Sequence, residues 1–141
     1  MSLPPVAPEP EQPEKAKNRS EWARFIASFG YAFSGLWYTL RTQRNMRVHL
    51  TIALLALLVG LLLHISLVEF AIIFLTIMAV FTAEMFNTVL ELCVDLASPE
   101  YNPLAKAAKD VAAGAVLFSA IISVIIGLLI FLPPIIALFH R

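Results

Sequence analysis

The chain has 141 residues, 60% of them hydrophobic and 14% charged, with ten basic and ten acidic residues for a net charge of zero. A soluble domain is nearer half apolar and a quarter charged, so this composition describes a single-domain integral membrane protein. The balanced charge gives no reason to expect a nucleic-acid partner, and the single Cys93 excludes an internal disulfide and a cysteine-based zinc site.

Residues 1–19 carry Pro4, Pro5, Pro8, Pro10 and Pro13 among mixed charges, and are expected to form a disordered tail because they bury too little apolar surface to offset ordering. They lack the basic start and apolar run of a signal peptide.

Ser20 is an N-cap candidate with Glu21 in the first turn, opening a helix over 20–41. Trp22, Phe25, Ile26, Phe29, Phe33, Leu36, Trp37 and Leu40 recur every three or four residues and share one face, while Arg24, Ser28, Tyr31, Ser34 and Tyr38 take other angles. An aromatic-rich amphipathic helix of this kind suits the headgroup layer; a helix packed in a bundle has the same periodicity.

Three apolar runs follow, predicting spans at about 45–64, 67–96 and 104–132. His49, near the start of the first, has no second His, Cys or carboxylate at i+3 or i+4 and reads as an interfacial hydrogen-bonding residue rather than a metal ligand. His64 and Ser66 mark a short turn, Ser98-Pro99 and Asn102-Pro103 break the chain between the second and third spans, and Pro133-Pro134 is expected to stop the third. Lys and Arg gather before the first span and between the second and third, whereas residues 64–69 have none. Positive-inside counting therefore places the N-terminus and residues 98–102 in the cytoplasm.

The second span carries Glu84, Asn87, Thr88, Glu91 and Asp95. At about 3.6 residues per turn these fall on one stripe, which begins within the apolar layer and ends near its aqueous edge. Intramembrane acids are costly and usually face a protein interior or a watery cavity with a task to perform. A Glu buried high in the helix is a candidate general base; a carboxylate two turns on suits Mg²⁺, which takes oxygen ligands and leaves positions for phosphates; and Lys109 on the facing helix would neutralise a phosphate. Those are the parts of phosphoryl transfer, although a Gly-x-x-x-x-Gly-Lys-Ser/Thr loop is absent. A proton or cation path uses the same residue types, and a purely structural lock between subunits is a third reading. Three helices enclose little interior, so any site is expected to need another copy of the chain.

The run Glu84-x-x-Asn87-Thr88-x-x-Glu91-x-x-x-Asp95, then Ser98-Pro99-Glu100-Tyr101-Asn102-Pro103-Leu-Ala-Lys106-x-Ala-Lys109-Asp110-x-Ala-Ala-Gly114, resembles the signature of the small prokaryotic diacylglycerol kinases, which include the undecaprenol kinases. The resemblance covers about Trp22 to Pro133. It implies an all-α membrane protein, with an N-terminal amphipathic surface helix plus three transmembrane helices, assembling as a homotrimer in the prokaryotic plasma membrane. The implied reaction moves the γ-phosphate of MgATP to a lipid hydroxyl at sites shared between subunits. By matching position, Glu84 would be the base and Asn87 would orient the centre. Glu91 would be a metal ligand; Lys109 and Asp110 would hold the phosphates and nucleotide; Glu100, Tyr101 and Asn102 would line the nucleotide's edge; and Arg24 and Tyr31 would reach in from the surface helix. Two positions depart from the pattern. Gln43 stands where a second acidic metal ligand is common, so a neutral amide would replace a charge and a catalytically impaired member is the alternative. Asn102 stands where His is frequent. Arg44-Asn45-x-Arg47-x-His49 and Ser98-Pro99-Glu100-Tyr101 resemble the undecaprenol kinase branch more than the enterobacterial one.

Overall fold

The computed structural model describes residues 20–140, so the expected tail over 1–19 lies outside the described residues. Four helices follow one another: α1 (Glu21–Thr42), α2 (Arg44–Leu62), α3 (Leu67–Ala97) and α4 (Pro103–Phe139). The last three are long and apolar enough to cross a membrane. At about 1.5 Å per residue α2 is ~28 Å long, close to the ~30 Å hydrocarbon layer, while α3 and α4 exceed it and must protrude or tilt.

The α1 helix begins as its sequence dictates, with the Ser20 hydroxyl accepting from the Ala23 N–H at 3.3 Å and Glu21 in the first turn. Trp22 meets Phe25 edge-on with centroids 5.9 Å apart, and Phe25 meets Phe29 at 5.1 Å, as i,i+3 and i,i+4 neighbours should. Within this unit Trp22, Phe25, Ile26, Phe29, Phe33 and Trp37 are exposed, so the apolar face is uncovered. The Arg41 guanidinium lies 4.9 Å over the Trp37 ring. Gln43 breaks the helix in an extended conformation, its N–H still donating to the Thr39 carbonyl at 2.9 Å.

From Asn45 onward the chain forms a second compact unit, in which α3 and α4 make the main helix pair. The turn from α2 to α3 is tight because three devices coincide. His64 adopts φ 52°, its N–H donating to Leu61 O at 3.2 Å while the Ile65 N–H reaches Gly60 O at 3.2 Å, the two bonds of a Schellman cap. Gly60 makes room for this: a Cβ there would stand 2.9 Å from Ile65 Cδ1 and 3.1 Å from the Phe70 ring. Ser66 and Glu69 then form a reciprocal capping box, Ser66 N–H to Glu69 Oε2 at 2.7 Å and Glu69 N–H to Ser66 Oγ at 3.3 Å. At the other end, the Asn102 side-chain oxygen accepts the Leu104 N–H at 2.8 Å, and Pro103, which has no N–H to strand, starts α4.

One expectation is overturned. Pro133-Pro134 does not stop the last helix, which runs on to Phe139. Both prolines forgo a backbone bond to the preceding turn, yet their fixed φ is itself helical. Ile135, Ile136, Ala137, Leu138 and Phe139 continue the apolar run, for which a helix is the available conformation in lipid. Pro134, Ala137 and Leu138 also share a cleft with Leu62, Leu63 and His64, so the post-proline turns lie beside the α2–α3 turn.

Candidate active site

The inward stripe of α3 passes from apolar to polar along its length, through Ile73 and Val80 to Glu84, Asn87 and Thr88, all buried. Glu84 is 1% exposed. Thr88 satisfies its hydroxyl within the helix, donating to the Glu84 carbonyl at 2.9 Å. The acid itself is not satisfied: Glu84 Oε2 is buried without a hydrogen-bond partner among the described residues. An unpartnered buried oxygen is expensive and usually signals a missing proton donor, water or ligand.

Asn87 is oriented by Glu91, its Nδ2 donating to Glu91 Oε1 at 2.9 Å. That bond leaves Asn87 Oδ1 as a second buried, unpartnered oxygen. The amide oxygen and the half-buried Glu91 carboxylate, one turn apart, form an oxygen-only pair. No group of three or more His, Cys, Asp or Glu residues that could hold a metal occurs among the described residues. An amide oxygen and a carboxylate are donor types that Mg²⁺ takes, its shell completed by water and phosphate.

Toward the end of α3 the stripe reaches a cleft of about 420 Å³ lined by Asp95, Ser98, Glu100, Tyr101, Asn102, Lys106 and Lys109 with Val94, Pro99 and Ala105. Asp95 pairs with Lys109 across the two helices, and Lys106 pairs with Asp110 one turn along α4. Glu84 and Asp95 are eleven residues apart, about 16 Å along the axis. A buried acid thus lies at one end, an oxygen pair between, and two lysines at the other.

Of the residues singled out from sequence, Glu84, Asn87 and Glu91 share the stripe, while Glu100, Tyr101, Asn102 and Lys109 line the cleft together. Asp110 is held by Lys106 and is not among the cleft-lining residues. Arg24, Tyr31 and Gln43 lie in the first unit, where Arg24 pairs with Glu21, Tyr31 is exposed and Gln43 closes α1. Lys106 and Asp95 are additions to the cleft that spacing alone left unassigned.

Residues 30–131 match the prokaryotic diacylglycerol kinase family. The chain is 51% identical over 116 residues to the undecaprenol kinase of Bacillus subtilis, covering 82% of this chain and 94% of that one. It is 40% identical over 129 residues to a diacylglycerol kinase of Synechocystis, covering 89% and 74%. With the diacylglycerol kinase of Escherichia coli K12 the identity is 29% over 110 residues, covering 78% and 90%.

Proposed function

The chain belongs to the prokaryotic diacylglycerol kinase family, and from that premise we propose that it transfers the γ-phosphate of MgATP to the hydroxyl of a membrane lipid at the cytoplasmic membrane interface. The observation that carries the reading is the buried Glu84 carboxyl, one oxygen unpartnered, on the same helix face as the Asn87–Glu91 oxygen pair.

In this reading the Glu84 carboxylate takes the proton of the acceptor hydroxyl as its oxygen attacks the γ-phosphorus and the bond to the β-phosphate oxygen breaks, leaving ADP. Little else is asked of the protein, because phosphoryl transfer is governed by positioning and charge. Lys109 and Asp110, with Glu100, Tyr101 and Asn102, hold the nucleotide; Arg24 and Tyr31 are assigned to it by matching position in the family pattern alone. Asn87 Oδ1 and Glu91 would hold Mg²⁺, and Gln43 is the further position that the family pattern assigns to the metal; the ion would supply positive charge against that building on the phosphate oxygens. Three spans enclose little interior, so a second copy of the chain in a homotrimer closes the site.

The orientation rests on charge. Arg41 stands just before α2 and Arg44 and Arg47 in its opening turns, and Lys106 and Lys109 follow the α3–α4 loop, whereas the α2–α3 turn has no Lys or Arg. The cleft then opens on the side where ATP is available. As acceptor we favour undecaprenol over diacylglycerol, on the 51% identity with an undecaprenol kinase against 40% and 29% with two diacylglycerol kinases. The test is transfer of labelled γ-phosphate from ATP in mixed micelles offered each lipid in parallel with Mg²⁺. A labelled undecaprenyl phosphate is the expected product, phosphatidate alone would reverse the acceptor, and no product from a folded assembly would remove the kinase reading.

A further inference from the structure

We propose that α1 docks on the acyl layer laid open where neutral headgroups part, so that its seating reports how loosely the bilayer is packed rather than how much negative charge it carries. The inference goes beyond the kinase reading and does not depend on it.

What covers the apolar face of α1 follows from its tether. Gln43 is the one residue between α1 and α2, and α2 is long and apolar enough to cross a membrane, so α1 is held at the bilayer surface. Trp22, Phe25, Ile26, Phe29, Phe33 and Trp37 are each more than half exposed. Edge-on contacts of Trp22 with Phe25 and of Phe25 with Phe29 make the first three rings continuous. From Trp22 to Trp37 the face is about 22 Å long. Each side chain of this size contributes about tenfold or more to binding when it leaves water, so the face as a whole strongly favours an apolar occupant.

Charge contributes little by comparison. An interfacial helix commonly carries many Lys and Arg on its polar face, whereas α1 has no Lys and only Arg24 and Arg41. Arg24 is paired with Glu21. Arg41 lies over the Trp37 ring and is the one cation left uncompensated on α1, worth about fivefold at an anionic surface. Residues 1–19 hold three acidic and three basic residues and add no net charge, while Arg44 and Arg47 belong to α2, which the bilayer holds in any case. Hydroxyls away from the rings are turned back on the helix, Ser28 donating to Phe25 O at 2.6 Å and Thr42 to Tyr38 O at 2.8 Å. Headgroups therefore offer α1 few partners, and seating depends on whether a row of bulky rings finds room between them. Closely packed headgroups deny that room; small headgroups and unsaturated chains leave it.

Both tryptophans of the chain, Trp22 and Trp37, stand on this face, so the emission of the unaltered full-length protein reports on it and needs no nucleotide or acceptor. The protein is reconstituted in three kinds of vesicle: phosphatidylcholine with one saturated and one monounsaturated chain, dioleoyl phosphatidylcholine with phosphatidylethanolamine, and the first with phosphatidylglycerol added, each at low and high salt. In the second, loosely packed kind, emission should move to the blue and acrylamide quenching should fall about twofold or more, while phosphatidylglycerol and salt change little. Shielding that follows phosphatidylglycerol and is reversed by salt would overturn the proposal in favour of an electrostatic anchor. Equal shielding in all three would overturn it in favour of a protein surface over the rings. Phe29→Ser combined with Phe33→Ser should abolish the packing response while the three spans keep the protein in the membrane; a response that survives counts against the docking. Ser28→Lys combined with Gly35→Lys supplies the missing charge at two exposed positions, the second with nothing within 4 Å of where a Cβ would stand. Shielding in that variant should rise with phosphatidylglycerol and fall with salt; if it does not, the side opposite the rings does not face the headgroups and the docking fails.

Discussion

Asn87 donates to Glu91 Oε1 at 2.9 Å, and the same bond leaves the Asn87 carbonyl oxygen buried and without a partner. The amide is held in one orientation by the carboxylate it serves beside, so the two residues present oxygens as a unit. If that unit holds the metal, Glu91→Ala removes both a charge and the group that fixes Asn87. The Mg²⁺ concentration for half-maximal activity should rise more than tenfold, and Asn87→Ala should raise it less because the carboxylate remains. Metal titrations of the two variants check this; an unchanged requirement in Glu91→Ala would move the metal elsewhere.

Glu84→Gln keeps the shape of the buried side chain and removes its capacity to accept a proton. Phosphate transfer should fall by about 10²–10⁴-fold, with assembly intact, because the side chain's volume and the Thr88 bond to its backbone are unchanged. Single-turnover transfer and size-exclusion chromatography, run on one preparation, separate the two effects. In sealed vesicles a transporter would instead show ATP-independent ion flux that Glu84→Gln abolishes.

The four helices and the polar stripe were legible in the sequence because lipid leaves so few alternatives: apolar runs of sufficient length must be helices, and carboxylates within them must converge. Ser20 likewise announced its cap, whereas Asn102, read only as part of a chain break, caps α4. What was not legible depended on tertiary placement. Pro133-Pro134 reads as a stop by local rules, yet residues 135–139 continue the helix beside the α2–α3 turn. His64 occupies a left-handed position that local sequence would assign to Gly, and its cap is visible only through the bonds to Gly60 and Leu61.

Lys109 faces a choice between Asp95 and a phosphate. The Asp95 side chain is 64% exposed and that of Lys109 36%, so their pairing contributes only about 0–1 kcal/mol to stability, and a phosphate should displace the carboxylate. Lys109→Met is expected to raise the KM for ATP more than tenfold. Asp95→Asn, by removing the competitor, should lower it severalfold, with little change in thermal stability. Should Asp95→Asn raise KM as well, Asp95 supports Lys109 rather than competing for it. Steady-state kinetics at two salt concentrations gives both answers, since the Lys109 contribution should weaken with screening.

Two glycines report on packing in opposite ways. Gly60→Ala would bring a Cβ within 2.9 Å of Ile65 Cδ1, and overpacking of this kind costs about 1–3 kcal/mol. Gly60→Ala combined with Ile65→Val, which deletes that methyl, should recover part of the loss, the Phe70 ring at 3.1 Å remaining. Gly114, inside α4, has nothing within 4 Å of the position a Cβ would take. In a lone chain Gly114→Ala should therefore stabilise by about 0.5–1 kcal/mol through helix propensity. In a trimer the sign depends on whether a second copy's helix presses on that face: stabilisation leaves the face to lipid, whereas a loss of trimer, cured by a smaller residue on the partner, marks it as the contact between subunits. Thermal unfolding in detergent, with crosslinking to count copies, reads both.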